Sequence, residues 1–194
     1  MSMELQPYHS PEKMKSVLSQ TGAAKGAVIT VTELAAEEPE QNPQEQLPTP
    51  VAESNLLANV LNHRVTHIVS SPYADLANQL DLRSLTLPAQ LLALALTHLA
   101  PLRPDYATAS YLSSFNWPEV FEKLRAFCVA AGVQWARQEF YLVIFRSKLR
   151  RDADRVRLDE LDQHSHREAC ESGGLLKYWF GSCDAEIRNL ATCE

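Results

Sequence analysis

Three side chains able to bind or move protons stand at four-residue intervals late in the chain: Asp162, His166 and Cys170. In a helix, steps of four keep them on one face. His164 falls elsewhere, because a two-residue step turns a helix by about 200°. An imidazole beside a carboxylate is an ordinary pair for general acid–base work, with Asp162 orienting His166. Tyr178, on the next segment, can donate to a developing oxyanion. His166, Asp162 and Tyr178 are therefore the catalytic candidates. Each also has a plain structural reading. On a solvated flank, an i,i+4 Asp–His pair raises the proton affinity of the imidazole modestly. A buried tyrosine more often anchors packing with its hydroxyl satisfied.

His166 and Cys170 are both ordinary zinc ligands, yet a closed site needs four donors and only Asp162 stands nearby. Without a CxxC or HExxH spacing in the chain, neither a metal nor a cofactor is expected. Arg146, Trp179 and Arg188 are the candidate substrate-binding residues. Arg146 ends an apolar strand, Arg188 begins the last strand, and guanidinium groups there can hold a carboxylate or enolate. Pairing of these arginines with acids of the adjacent helix, Asp159 or Glu160, is the commoner outcome beside a covered sheet. The basic run Arg146, Lys148, Arg150, Arg151, Arg155 and Arg157 is interleaved with Asp152, Asp154, Asp159, Glu160 and Asp162. It reads as a mixed, solvated helix face.

These residues need elements to position them. Residues 138–147 alternate as a strand, with Phe140, Leu142 and Ile144 on one face and Tyr141, Val143 and Phe145 on the other. Apolar residues on both faces predict cover on both sides. A charged helix from about Arg151 to Glu171 follows, its inner stripe expected at Val156, Leu158, Leu161, Ser165 and Ala169. Strands over 174–180 and 187–193 complete a β-α-β-β run. That is the opening of a ferredoxin-like unit of the dimeric α+β barrel type, short of a final helix and strand. Before it, Asn116 as N-cap, Pro118 and Gly132 frame a helix over 117–131. Leu87 to Leu99 reads as a helix apolar nearly all round. Ser71 to about Leu80 reads as a helix opened by Pro72, and Asn55 to Asn62 as a short one. Strands are expected at Lys25–Leu34 and Arg64–Ser70. Ala35 to Pro50, rich in Glu, Gln and Pro, reads as a flexible linker. The expected division is an N-terminal segment, 1–54, and one α+β domain, 55–194.

Composition narrows the classes. A net charge of −6 over 194 residues opposes nucleic-acid binding, which needs a basic excess. It also opposes adhesion to anionic membranes. The longest apolar run, 87–96, falls well short of the roughly 20 residues that span a bilayer. With no signal-peptide pattern at the start, the expected location is cytoplasmic, and the four cysteines are expected as free thiols.

From about Leu82 onward the chain resembles an uncharacterised family of fungal proteins. The residues that carry the resemblance are Ala93-Leu94-Ala95 with Leu99 and Pro101, Tyr106-Ala107-Thr108, Phe115-Asn116-Trp117, Phe140-Tyr141 with Phe145-Arg146-Ser147, Ser172 through Gly181, and Arg188 through Cys193. Members of that family look longer, so the resemblance implies that this chain is C-terminally short. It implies no activity. Analogy with similar small folds suggests a cofactor-independent enzyme of fungal secondary metabolism acting on a hydrophobic small molecule, as a homodimer. The alternatives are a non-catalytic ligand-binding or interaction module, or an inactive truncated member.

Overall fold

The computed structural model of the chain describes residues 6–8, 22–31 and 50–194. Most of the expected linker lies outside them. The architecture is mixed α+β. Among the described residues its larger sheet has five antiparallel strands: β1 (Gln6–Tyr8), β2 (Gly22–Val31), β5 (Gln138–Lys148), β6 (Tyr178–Phe180) and β7 (Arg188–Cys193). Their order is β1-β2-β5-β7-β6. A two-stranded sheet pairs β3 (His67–Ile68) with β4 (Leu80–Asp81). The helices are α1 (Pro50–Leu61), α2 (Leu87–Leu96), the single turn α3 (Tyr111–Ser114), α4 (Trp117–Ala130) and α5 (Arg155–Ser172).

The register sorts the sheet into two faces. Val143 and Tyr178 both pair with Cys193, so these three side chains share a face. Ile144 and Trp179 both pair with Thr192 on the other. That second face, with Leu142 and Leu190 fully buried, meets the helical layer. Phe115 stands edge-on to Trp179 at 4.9 Å, and Tyr111 and Thr192 hydroxyls meet at 3.0 Å. The core is centred on α2, where Leu91 to Leu96 are six consecutive buried residues, and on Val120, Leu124 and Cys128 of α4. All-round burial follows from a helix with no polar stripe.

Local chemistry explains most boundaries. Pro118 in the first turn and Gly132 at φ 65° just past the end frame α4. Asn116 does not cap this helix in the expected way. Its amide instead ties the preceding loop to α4, accepting from Ala100 N–H and donating to His98 O and Glu119. Asp154 caps α5 by accepting from Arg157 N–H.

Three further expectations need correction. Residues 71–80 are not an α-helix; only a 3-10 turn, Leu76–Asn78, forms there. The segment instead spends its polar groups on tertiary contacts: Ser70 O accepts from Tyr178 N–H, and Asn78 is buried against α5. The sheet is not equally covered on both faces, for Tyr141 stays largely in solvent. Finally, the inner stripe of α5 is not the expected one. Val156 is 70% and Leu161 44% exposed, while His166 is buried.

Gly181 ends β6 where the Tyr106 ring crosses the chain. A methyl group on Gly181 would run into that ring and its hydroxyl, which donates to Ser182 O. Tyr106 cannot swing away freely, because it packs edge-on to Trp179 at 5.3 Å. Gly181→Ala is expected to cost about 1–3 kcal/mol by overpacking, read as a lower urea midpoint.

Candidate functional site

The inward stripe of α5 meets two other segments. Asp162 accepts the Tyr73 hydroxyl at 2.5 Å on one oxygen and the Tyr178 hydroxyl at 2.6 Å on the other. One turn on, His166 Nδ1 lies 3.0 Å from Asn78 Oδ1. The tautomer protonated at Nδ1 makes this a donated bond and leaves Nε2 as an acceptor. A further turn on, Cys170 Sγ lies 3.7 and 3.8 Å from the two ring nitrogens and 3.7 Å from Asn78 O. The imidazole sits between Tyr73 and Tyr178, at centroid distances of 5.2 and 5.4 Å. Asn78 Nδ2 is buried with no partner.

Burial dominates the electrostatics. It holds His166 below the usual imidazole value, with Asp162 pulling the other way. It pushes the Cys170 thiol up, helped by Glu171. It also lifts the Tyr73 and Tyr178 hydroxyls, and their bonds to Asp162 add to that shift. The neutral forms of all four groups are therefore favoured. A thiolate–imidazolium pair needs the opposite shifts at Cys170 and His166.

Of the sequence candidates, Asp162, His166 and Tyr178 come together. Arg146, Trp179 and Arg188 do not join them. Trp179 faces the helical layer. Arg188 pairs with Asp184 at 2.7 Å and with Glu186 at 3.3 Å. Arg146 reaches neither Asp159 nor Glu160; it donates to the carbonyls of Tyr106, Ala107 and Ala109, on the far face. Tyr73 and Asn78 were not foreseen. They lie 89 and 88 residues from their partners, in a stretch that reads in sequence as a helix opened by Pro72.

A cleft of about 140 Å³ opens beside Cys170, lined also by Ala77, Leu80, Asp81, Glu171 and Gly174. A larger groove of about 330 Å³ lies at Val60, His63, Leu82 and Arg83, and none of the candidate residues lines it. Among the described residues no group of three or more His, Cys, Asp or Glu side chains could hold a metal ion. No described helix is long and apolar enough to cross a membrane.

All of these candidate residues, from Tyr73 to Tyr178, fall within one matched region. The family model described as PB2B2.08-like matches residues 69–194. The chain is also similar to the UPF0643 protein PB2B2.08 of Schizosaccharomyces pombe, 37% identical over 133 residues. That alignment covers 65% of this chain and 60% of the relative. No solved structure matches. With the family model extending over most of the chain, from just before the Tyr73 segment to the end of β7, this chain belongs to the PB2B2.08-like family.

Proposed function

We propose that the chain acts on a small, largely apolar organic molecule where α5, β6 and segment 70–84 meet. In this reading His166 moves a proton, and Asp162 sets the Tyr73 and Tyr178 hydroxyls around it. The observation that carries the reading is the inversion of α5, which turns Asp162, His166 and Cys170 inward and leaves Val156 and Leu161 in solvent. A helix that serves stability alone does the reverse. Breaches of a local rule and perturbed titrating groups both concentrate at functional sites. His166 suits proton transfer, because burial favours its neutral form and Asn78 fixes its ring. The cleft beside Cys170 is small against the 300–1,000 Å³ usual for ligand sites, so a small substrate, or one part of a larger one, is implied. The β5-α5-β6-β7 run, closing as an antiparallel β5-β7-β6 sheet, supports a ferredoxin-like reading of the fold.

A non-catalytic binding or interaction module is the second reading, and one observation favours it. Both Asp162 oxygens are already taken by tyrosine hydroxyls, and His166 is only 4% exposed. Native mass spectrometry of the purified protein mixed with a small-molecule extract of Schizosaccharomyces pombe separates the two. The catalytic reading expects a captured molecule that the protein converts, with His166→Gln retaining capture and slowing conversion by roughly 100-fold or more. Capture with no conversion, unchanged in His166→Gln, would favour the binding module.

A further inference from the structure

The sheet face away from α5 buries a second group of titratable side chains, distinct from the site above. Glu194 follows β7 and is 7% exposed. Its Oε1 accepts from the Tyr111 hydroxyl at 2.8 Å and from Thr192 Oγ1 at 2.9 Å. Its Oε2 is buried with no partner. The backbone at this point bridges two segments. Leu176 and Lys177 N–H donate to Glu194 O at 2.7 and 3.3 Å, and Glu194 N–H donates to Lys177 O at 3.0 Å. One carboxyl group therefore stands where β7, the approach to β6, and α3 meet.

An ionised carboxylate in this place would crowd two donors on one oxygen and leave the other dry. Burying charge without full hydrogen bonding is far costlier than burying the neutral acid. The geometry points to a proton-held latch: Glu194 seats the end of β7 on residues 176–178 while it carries a proton, and loss of that proton loosens the junction. Tyr111 faces Glu194 from α3, its hydroxyl kept neutral by burial and by Glu194 itself. Lys177 faces it from the approach to β6; burial lowers the ammonium and Glu194 raises it. The Cys193 thiol, the next group along β7, is kept neutral by burial and then by Glu194.

The sign follows from these groups. Burial raises the Glu194 carboxyl from the ordinary 4.5 to about 7, against the pull of Tyr111, Thr192 and Lys177. A group whose value is raised by folding contributes stability below its unfolded value and loses it as pH rises through the folded one. The latch is therefore strongest below about 4.5 and released by about 7. Lys177, lowered by folding, works in the opposite direction, against its ordinary 10.5. His166, also lowered, gains stability as pH rises toward 6.5.

Amide hydrogen exchange of the full chain between pH 5 and 8, corrected for intrinsic rates, tests the latch. Protection at Leu176, Lys177 and Glu194 is expected to fall at least tenfold from pH 5 to 7 and then level off. Glu194→Gln should abolish that fall. Tyr111→Phe removes a donor that favours the ionised form, so it should move the fall to higher pH. An unchanging protection in the wild type, or the same fall in Glu194→Gln, would overturn the latch. So would a fall that Tyr111→Phe leaves in place or moves to lower pH.

Discussion

Asp162→Ala is expected to lower the stability of the fold by about 3–5 kcal/mol. Two phenolic hydroxyls donate to this one carboxylate, at 2.5 and 2.6 Å. Hydrogen bonds to a charged group contribute about 1.5–3 kcal/mol each. Tyr178 is buried, so its hydroxyl would be left without water, whereas half-buried Tyr73 can turn outward. The loss should therefore fall short of the sum of two full bonds. For a chain of this size the expected drop in Tm is on the order of 10 °C. Asp162→Asn should cost less, since an amide oxygen can still accept one hydroxyl. An alkaline titration of tyrosine absorbance supplies a second readout. In the wild type, Tyr73 and Tyr178 should resist ionisation at pH 10; in Asp162→Asn both should titrate at lower pH. A loss under about 1 kcal/mol in Asp162→Ala would show that the carboxylate does not hold the two tyrosines.

Arg146→Met is expected to be nearly as damaging, for a different reason. Its guanidinium does not balance a carboxylate; it fills the acceptor needs of three carbonyls in the loop before α3, those of Tyr106, Ala107 and Ala109. Burial already presses against its charge, lowering its proton affinity. Methionine keeps much of the apolar stem and supplies no donor. Unsatisfied buried polar groups cost about 1–3 kcal/mol each, and a loop can re-solvate some of them, so about 3–4 kcal/mol is expected in total. Arg146→Lys should recover only part of this, because one ammonium cannot reproduce a planar fork serving three acceptors. Urea midpoints of the two variants check both the size and the order. Equal midpoints for Met and Lys would mean that the carbonyls do not need the fork.

The sequence made some of this legible and hid the rest for identifiable reasons. The helix at Trp117–Ala130 announced itself through Pro118, Gly132 and apolar residues at helical spacing, all local signals. The β5 strand and the buried helix at Leu87–Leu96 were equally local. The orientation of α5 was not. Leu158 and Leu161 suggested one inward stripe, but the stripe actually turned inward is chosen by Tyr73, Asn78 and Tyr178, which no local pattern connects to it. Residues 71–80 were misread for the same reason. The helix start that Pro72 suggests lost to contacts that use Ser70 and Asn78 as partners for distant strands and helices. The grouping of Asp162, His166 and Cys170 on one face could be read from spacing. That this face is the buried one could not.

The bond from Tyr178 N–H to Ser70 O, at 3.0 Å, reaches beyond packing. Among the described residues β6 is the outermost strand on its side of the sheet. An outermost strand with free N–H groups is a template on which a second chain can add. Ser70 occupies that position, and the segment that follows it is fastened to α5 by Tyr73 and Asn78. The side-chain cluster around Asp162 therefore also guards the edge. A variant that frees the Tyr73 segment uncovers Tyr178 N–H beside partly exposed Phe180, and self-association through β6 would follow the loss of the clasp.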